Sequence, residues 1–417
     1  MDRRPAVDDS GTRRHRHVDL APTERLRSLD VVRGISLFGV IALNYHAVLN
    51  EQSAFAPLSP SFFDRLFNPI SGVLTTRFAA TFVFVAGIGV TLMASKVNFN
   101  DRPGMHRLRL TLLRRGTFLI VVGYGLEWLW PGTILFYYGA YFVIASFLVS
   151  RSTQSLTFLG IASVVAAAAL NLWRVSERFA DNYTAWLDPE SPDSPRNVVI
   201  RLLVGYTHPI LPWIAFFIAG MIVARAAAGQ SLISGRLAIL AIGAVAGSSV
   251  IRDLVRPALI VDRSAAMRAS AVSLQPFDRG ALYVVSTLGV AILAVWSVEH
   301  LVGRIRSSIL LTALERVGRM SLSLYLAHIL IFRLVVDTLK LIQPPAYTPA
   351  KRHQQFQQLL RQHKLYGFAK KPVQLLMQKR DTRGDELMFY LLTALVLYYA
   401  LVRALDRKST RLNSSHT

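Results

Sequence analysis

Long apolar blocks separated by short polar segments run through most of the chain. The blocks lie near 29–49, 76–95, 116–130, 133–150, 154–174, 208–227, 235–251, 280–299, 320–341 and 386–405. About 20 apolar residues cross the roughly 30 Å hydrocarbon core of a bilayer. The pattern therefore predicts an all-α fold, a polytopic integral membrane bundle of about ten transmembrane helices. The short blocks near 116 and 235 are its weakest members. The ten-residue alternation of a membrane β-barrel does not occur. The blocks divide the chain into a polar tail at 1–28, a transmembrane core at 29–341, a polar loop at 342–385 and a final span at 386–405, followed by a tail at 406–417.

Charge sets the orientation. The formal net charge is +22, yet only 17% of residues are charged and 52% are hydrophobic, so the excess sits between the spans. Residues 1–27 hold seven Arg, and Lys96–Arg115 hold six Lys or Arg. Two spans separate these segments, which places both on the cytoplasmic side, where positive loops collect. The intervening 50–75 has one Arg and lies outside. The basic balance thus reads as membrane topology, with the bilayer as partner and no nucleic acid. The polar first 28 residues show no cleavable signal peptide. Without cysteine there is neither disulfide nor thiolate metal site, and no metal is expected. Neither a P-loop nor a Gly-rich dinucleotide fingerprint is found.

Two segments are compositionally odd. Five of the eight Lys fall between Lys351 and Lys379, and seven Gln crowd into 354–378. Phe356, Leu359 and Leu360, then Leu375, Leu376 and Met377, suggest short amphipathic helices. Ten spans would put this basic loop outside, against the positive-inside tendency, so the count is off by one, the loop is an insertion whose charge did not set topology, or the segment is misassembled. The tail Asp406–Thr417 resembles the in-frame translation of a sequencing-adapter oligonucleotide and is set aside, which leaves the natural C-terminus open.

Candidate chemistry lies in the polar residues of the spans. In "SLDVVRGISLFGVIALNYHAV", Asp30 and Arg33 are spaced i, i+3 and can pair on one face. Arg33 and Asn44 are eleven residues apart, three turns plus about 20°, so Asn44 joins the same stripe, whereas His46 points about 220° away from Arg33. Such a stripe belongs in the bundle interior or a wet cavity. The alternative for Asp30 and Arg33 is snorkelling to the inner interface. Asn44 is too deep for that, though an interhelical hydrogen bond would also explain it. His328, in "ERVGRMSLSLYLAHILIF", lies nine residues beyond Arg319, about 13 Å deeper, with Tyr325 one turn before it. It reads as a general base or as a hydrogen-bonded packing residue. Arg77, Glu127 and His208 are further polar candidates. Tyr137, Tyr138 and Tyr141 suit an interfacial belt, and Gly87 and Gly89 suit close helix packing.

"RSLDVVRGISLFGVIALN" resembles the opening of bacterial membrane proteins of the YeiB type, and is similar to the catalytic domain of heparan-α-glucosaminide N-acetyltransferase. "TTRFAATFVFVAGIG", "LRRGTFLIVVGYG", "ILFYYGAYF", "HPILPWIAFFIAG" and "GRMSLSLYLAH" agree in order, so the resemblance runs from about Arg27 to Phe332. A late His of the lysosomal enzyme matches His328 within Tyr-x-x-His. A broader family of membrane acyltransferases pairs an early Arg with a residue eleven further on, usually His; here it is Asn44, with His46 two later. Where many YeiB-type proteins read Gly-Asp, this chain has Gly132–Thr133.

The resemblance implies an acyltransferase of the bacterial cytoplasmic (inner) membrane. It would move an acyl group, acetyl first of all, from cytoplasmic acyl-CoA to an extracytoplasmic sugar, glycan or small-molecule acceptor. On this reading Asp30, Arg33, Asn44 and His328 form the catalytic set, with His328 as base. Arg33, Arg114, Arg115 and Tyr325 meet the acyl-CoA co-substrate, the two neighbouring arginines at its phosphates. Alternatively, Arg114 and Arg115 are positive-inside anchors. A homodimer is allowed. The rival class is a transporter or lipid flippase, which also uses intramembrane ionisable residues; no internal repeat of the kind common in transporters is visible.

Overall fold

In a computed structural model, residues 22–333 are described apart from 52–61, 71, 99–100, 183, 190, 228–230, 261 and 306–307. The predicted loop at 342–385, the last span and the tail lie outside the described residues, as does the end of the span at 320–341. Among the described residues the fold is all-helical. The helices are α1 (Pro22–Glu51), α2 (Phe62–Phe67), α3 (Arg77–Ala94), α4 (Arg102–Glu127), α5 (Ile134–Leu148), α6 (Thr153–Phe179), α7 (Pro195–Leu203), α8 (Ile210–Ala226), α9 (Gly235–Val255), α10 (Arg263–Ala271), α11 (Ala281–Arg304), α12 (Ile309–Arg319) and α13 (Ser321–Ile331). Five of them, α1, α3, α6, α9 and α11, are long and apolar enough to cross a membrane; α5, α8 and α13 are shorter apolar helices.

Every predicted span up to 320–341 falls on a helix, with two differences. The third begins at Arg102 rather than near 116, because Asp101 caps it, its carboxylate accepting from the Gly104 N–H at 3.1 Å. Hydropathy marks only the apolar half; the basic first turns belong to the same helix. Its buried face, Leu108, Leu112, Gly116, Leu119 and Gly123, repeats every three or four residues. The second difference is α12, which hydropathy passes over because its apolar residues lie on one side only.

Lipid tails are as apolar as leucine, so helices in a bilayer associate by close packing. The crossing of α3 and α8 is built that way. A Cβ added at Gly87 would collide with the Phe217 carbonyl, and one at Gly220 with the Phe84 carbonyl. Helices α1 and α12 meet likewise, Gly34 against the Leu314 carbonyl and Gly318 against that of Asp30. Outside this core, α6 and α9 expose most of their surface, with Phe158 and Leu254 71% and 79% accessible, as lipid-facing helices would.

Counting helices along the chain gives the bundle two polar ends. One gathers Arg27, Asp30, Lys96, Arg115, Arg151, Arg225 and Arg319; there Arg225 donates to the Arg151 carbonyl at 2.7 Å and Arg109 to Ser150 Oγ at 2.7 Å. The other gathers Glu127, Arg174, Asp188, Arg201 and Arg279. The chain lacks cysteine, which makes single labels clean. His106→Cys, at the start of α4, and Leu259→Cys, after α9, both sit on exposed residues and should react with an impermeant maleimide from opposite sides of the membrane. Labelling of both from one side would overturn this topology.

Candidate active site

A cavity of about 650 Å³ lies between α1, α3, α4, α5 and α13. On α3 its wall is Ala79, Phe82, Ala86, Gly89, Val90 and Met93, one helical face at i+3/i+4 spacing. From Ala79 to Met93 that face is about 21 Å long at 1.5 Å per residue, some two thirds of the roughly 30 Å hydrocarbon thickness. Lys96, Arg115 and Arg319 stand exposed at one end. Ile134, Leu135 and Tyr325, all buried, close the other.

Arg33 lies on the wall near the charged end. It donates to Asp30 Oδ1 at 2.9 Å, which is the i, i+3 pair read from the sequence. Arg319 faces the same carboxylate, Nε to Oδ2 at 3.4 Å, and also donates to Glu315, which in turn accepts from Arg27 at 3.0 Å. This ladder ties α1 to α12. Gly89 has a role the packing reading missed: a Cβ there would come within 3.0 Å of Arg33 Nη2 and meet nothing else. The residue leaves room for the guanidinium rather than for a helix.

Past the closed end, Asn44 Nδ2 lies 3.2 Å from His328 Nε2, two residues 284 apart in sequence. His328 is 3% exposed. Its ring packs edge-on against Tyr325, centroids 4.9 Å apart, and against Trp130 at 6.4 Å. The Tyr45 hydroxyl donates to the His328 carbonyl at 3.2 Å. Tyr325 therefore stands between the cavity, which it lines, and the imidazole. Its hydroxyl sits at the start of α5, where the Ile134 N–H donates to it at 3.2 Å and Thr133 Oγ1 lies 3.1 Å away.

The family model of the heparan-α-glucosaminide N-acetyltransferase catalytic domain matches residues 25–250, more than half of the chain. The chain belongs to that family. No curated protein matches it. Membership in this acetyltransferase family and the long apolar helices make it an integral membrane protein. The segment matched to the acetyltransferase domain carries Asp30, Arg33, Asn44, Arg114 and Arg115; Tyr325 and His328 lie beyond it and reach the site through the fold.

The structure brings most of the residues singled out in the sequence into one place. Asp30, Arg33, Arg115 and Tyr325 line the cavity, and Asn44 meets His328 behind it. Arg114 is exposed and is not on the cavity wall. His46 is buried but is not on that wall either. The tyrosines expected in an interfacial belt are interior instead: Tyr137 and Tyr141 are fully buried, and Tyr138 lines the cavity. Arg77 donates to the Val73 carbonyl at 2.6 Å and to Thr287 Oγ1 at 3.3 Å.

The opposite pole of this acetyltransferase-family chain holds a network no local pattern announced. Glu127, at the end of α4, pairs with Arg201 of α7, and both side chains are 2% exposed. Glu127 also accepts from the Gly132 N–H at 3.3 Å, and Gly132 adopts φ 88°, a left-handed conformation that costs glycine little. Arg201 stacks over the Tyr206 ring at 3.6 Å. Arg279, in the turn before α11, donates to the carbonyls of Val204 and Tyr206; burial pushes its guanidinium down to about 10, while Asp188 beside it acts in the opposite sense. The Glu127–Arg201 pair thus fixes the turn that delivers Thr133 to Tyr325. Removing one partner of a buried pair strands the other charge, at a cost of about 3–5 kcal/mol. Arg201→Met should therefore lower the detergent-solubilised protein's thermal stability sharply. Adding Glu127→Leu should restore much of the loss, and additive losses in the double variant would refute the pairing's role.

Proposed function

We propose that the chain is an acyl-CoA-dependent membrane acyltransferase, with acetyl-CoA the first donor to consider. One observation carries this reading: a single cavity runs from a cationic rim through most of the membrane thickness to a buried Tyr325, with His328 and Asn44 directly behind. Arg33, Lys96, Arg115 and Arg319 supply four cations around the one carboxylate of Asp30, and guanidinium groups pair well with phosphate. The apolar walls suit a pantetheine arm and an acyl group. The phosphates of CoA would stay at the cytoplasmic, basic end while the thioester approaches Tyr325.

On the far side an acceptor amine or hydroxyl meets His328. The neutral imidazole takes the acceptor's proton as the acceptor attacks the acyl carbon. The carbon–sulfur bond then breaks, and the departing thiolate is protonated to free CoA. Asn44 lies against Nε2; with its amide turned so that Oδ1 accepts from Nε2–H, it fixes the ring and leaves Nδ1, which has no hydrogen-bond partner among the described residues, as the nitrogen that takes the proton. Family membership favours an amino sugar or glycan as acceptor, presented from outside. The bacterial inner membrane is the location we assign.

The test is the purified protein in nanodiscs with labelled acetyl-CoA and glucosamine. Acetyl transfer, or slow thioester hydrolysis without acceptor, supports the enzyme; movement of a substrate across proteoliposomes with neither reaction would support a transporter or flippase instead. His328→Gln keeps size and hydrogen bonding but cannot take a proton near neutrality. It should bind acetyl-CoA normally and lose about 10²–10⁴ in transfer rate. Wild-type turnover by this variant would remove His328 from the mechanism. Arg33→Lys keeps the charge but loses the planar fork that meets Asp30. Weakened acetyl-CoA binding with normal folding is expected; unchanged binding and turnover would reduce Arg33 to a structural anchor.

A further inference from the structure

We infer that the Tyr325 hydroxyl is a catalytic hydrogen-bond donor, placed to hold the acyl oxygen of the thioester as it becomes an oxyanion. The inference rests on the reading above and adds the group that stabilises the transition state. It follows from an inventory of protons. Thr133 caps α5, so its Oγ1 accepts from the Leu135 N–H at 3.4 Å. The Ile134 N–H donates to Tyr325 Oη at 3.2 Å, and the two hydroxyl oxygens lie 3.1 Å apart. Two hydroxyl protons thus share one contact, and one of them is left without an acceptor among these groups.

Its location is decided by what surrounds each residue. Thr133 is 0% exposed and is not on the cavity wall. A spare proton there would be a buried donor with no partner, an arrangement that costs its full desolvation. Tyr325 lines the cavity, where water or a ligand can accept. The favoured arrangement has Thr133 donating to Tyr325, so that the phenol oxygen accepts from Thr133 and Ile134 and its own O–H remains for the cavity. Two donors on the phenol oxygen also polarise its O–H bond, since hydrogen bonds in a chain strengthen one another.

The donor is held in advance. Gly132, its N–H on Glu127, and the Arg201–Glu127 pair fix the turn beneath Thr133. The ring of Tyr325 rests on His328. A donor fixed where charge develops needs no reorganisation during the reaction. In the step itself, the acceptor's X–C bond forms as the C=O π pair moves onto oxygen, and Tyr325 donates to that oxygen while His328 takes the proton from X. The C=O then re-forms, the C–S bond breaks, and the imidazolium returns its proton to the CoA thiolate. Tyr325 keeps its own proton throughout.

The experiment compares full-length wild type, Tyr325→Phe and protein carrying 3-fluorotyrosine at position 325, in nanodiscs, with acetyl-CoA labelled ¹³C at the carbonyl. Two readouts are taken: kcat and KM for transfer to glucosamine, and the infrared carbonyl band of the bound thioester. Tyr325→Phe should lose about 10²–10³ in kcat, leave the acetyl-CoA Kd within about twofold, and move the carbonyl band to higher frequency. The fluorinated phenol is nearly isosteric and a stronger donor, so it should move the band lower, a test that stands even where Tyr325→Phe folds poorly. His328→Gln should leave the band at its wild-type position. A carbonyl band unchanged across all three proteins, or full kcat in folded Tyr325→Phe, overturns this inference while leaving the acyltransferase reading intact. Failure of wild type to bind acetyl-CoA overturns both.

Discussion

A guanidinium inside a bilayer-spanning helix is expensive unless a carboxylate and water share it, and Arg33 has both. Asp30, one turn back on α1, accepts from it, and the guanidinium's other face opens into the cavity, where water can reach it. Asp30 in turn can serve Arg33 only because it is fixed by Arg319 from α12, a helix that approaches α1 closely enough to leave no room for a Cβ at Gly34 or Gly318. Charge pairing and close packing are therefore one arrangement. Loosen the glycine contacts and the ladder from Arg33 to Arg27 loses its geometry. Unpair Asp30 and the rim of the cavity carries uncompensated positive charge along a buried wall.

The same economy governs the opposite pole, with a different result. Glu127 and Arg201 are both removed from solvent, so their mutual attraction acts in a low dielectric but must offset the loss of two hydration shells. Such a pair contributes little net stability; what it supplies is position. It fixes a turn in which Gly132 takes a left-handed conformation and Thr133 opens α5. The rim uses exposed cations that can meet a mobile anionic ligand, while the far pole uses buried ions that hold polar groups still.

How much of this was legible in the sequence follows from the range of each signal. The apolar helices were legible because hydrophobic length is a local property, and the Asp30–Arg33 pair because two residues three apart share a helix face. Asn44 and His328 each stand out as polar residues in apolar spans, but their contact links residues 284 apart and no local pattern reports it. The Glu127–Arg201 pair was lost for the same reason. Helix α12 escaped because a one-sided apolar stripe of eleven residues falls below a span's hydropathy. The tyrosines of α5 were misplaced because a belt aromatic and a core aromatic look alike until the neighbouring helix is known. Gly89 was read as a packing glycine, and only the position of Arg33 shows what its missing side chain accommodates.

The distribution of charge along the cavity also constrains which part of a donor can enter it. On the acyl-CoA reading phosphates would sit at the rim, where Lys96, Arg115 and Arg319 are exposed. Deeper in, the walls are apolar, and a bare phosphate would surrender its hydration with no cation beyond Arg33 on the described wall to compensate. A thioester and a short acyl group carry no charge and lose little there. On the proposed reading, the cavity would sort a phosphorylated thioester by polarity, headgroup outward and acyl group inward, before any specific contact is made. That ordering would bring the reactive carbon to the end where Tyr325 and His328 lie, and would leave His328 in a region the phosphates' charge does not reach directly.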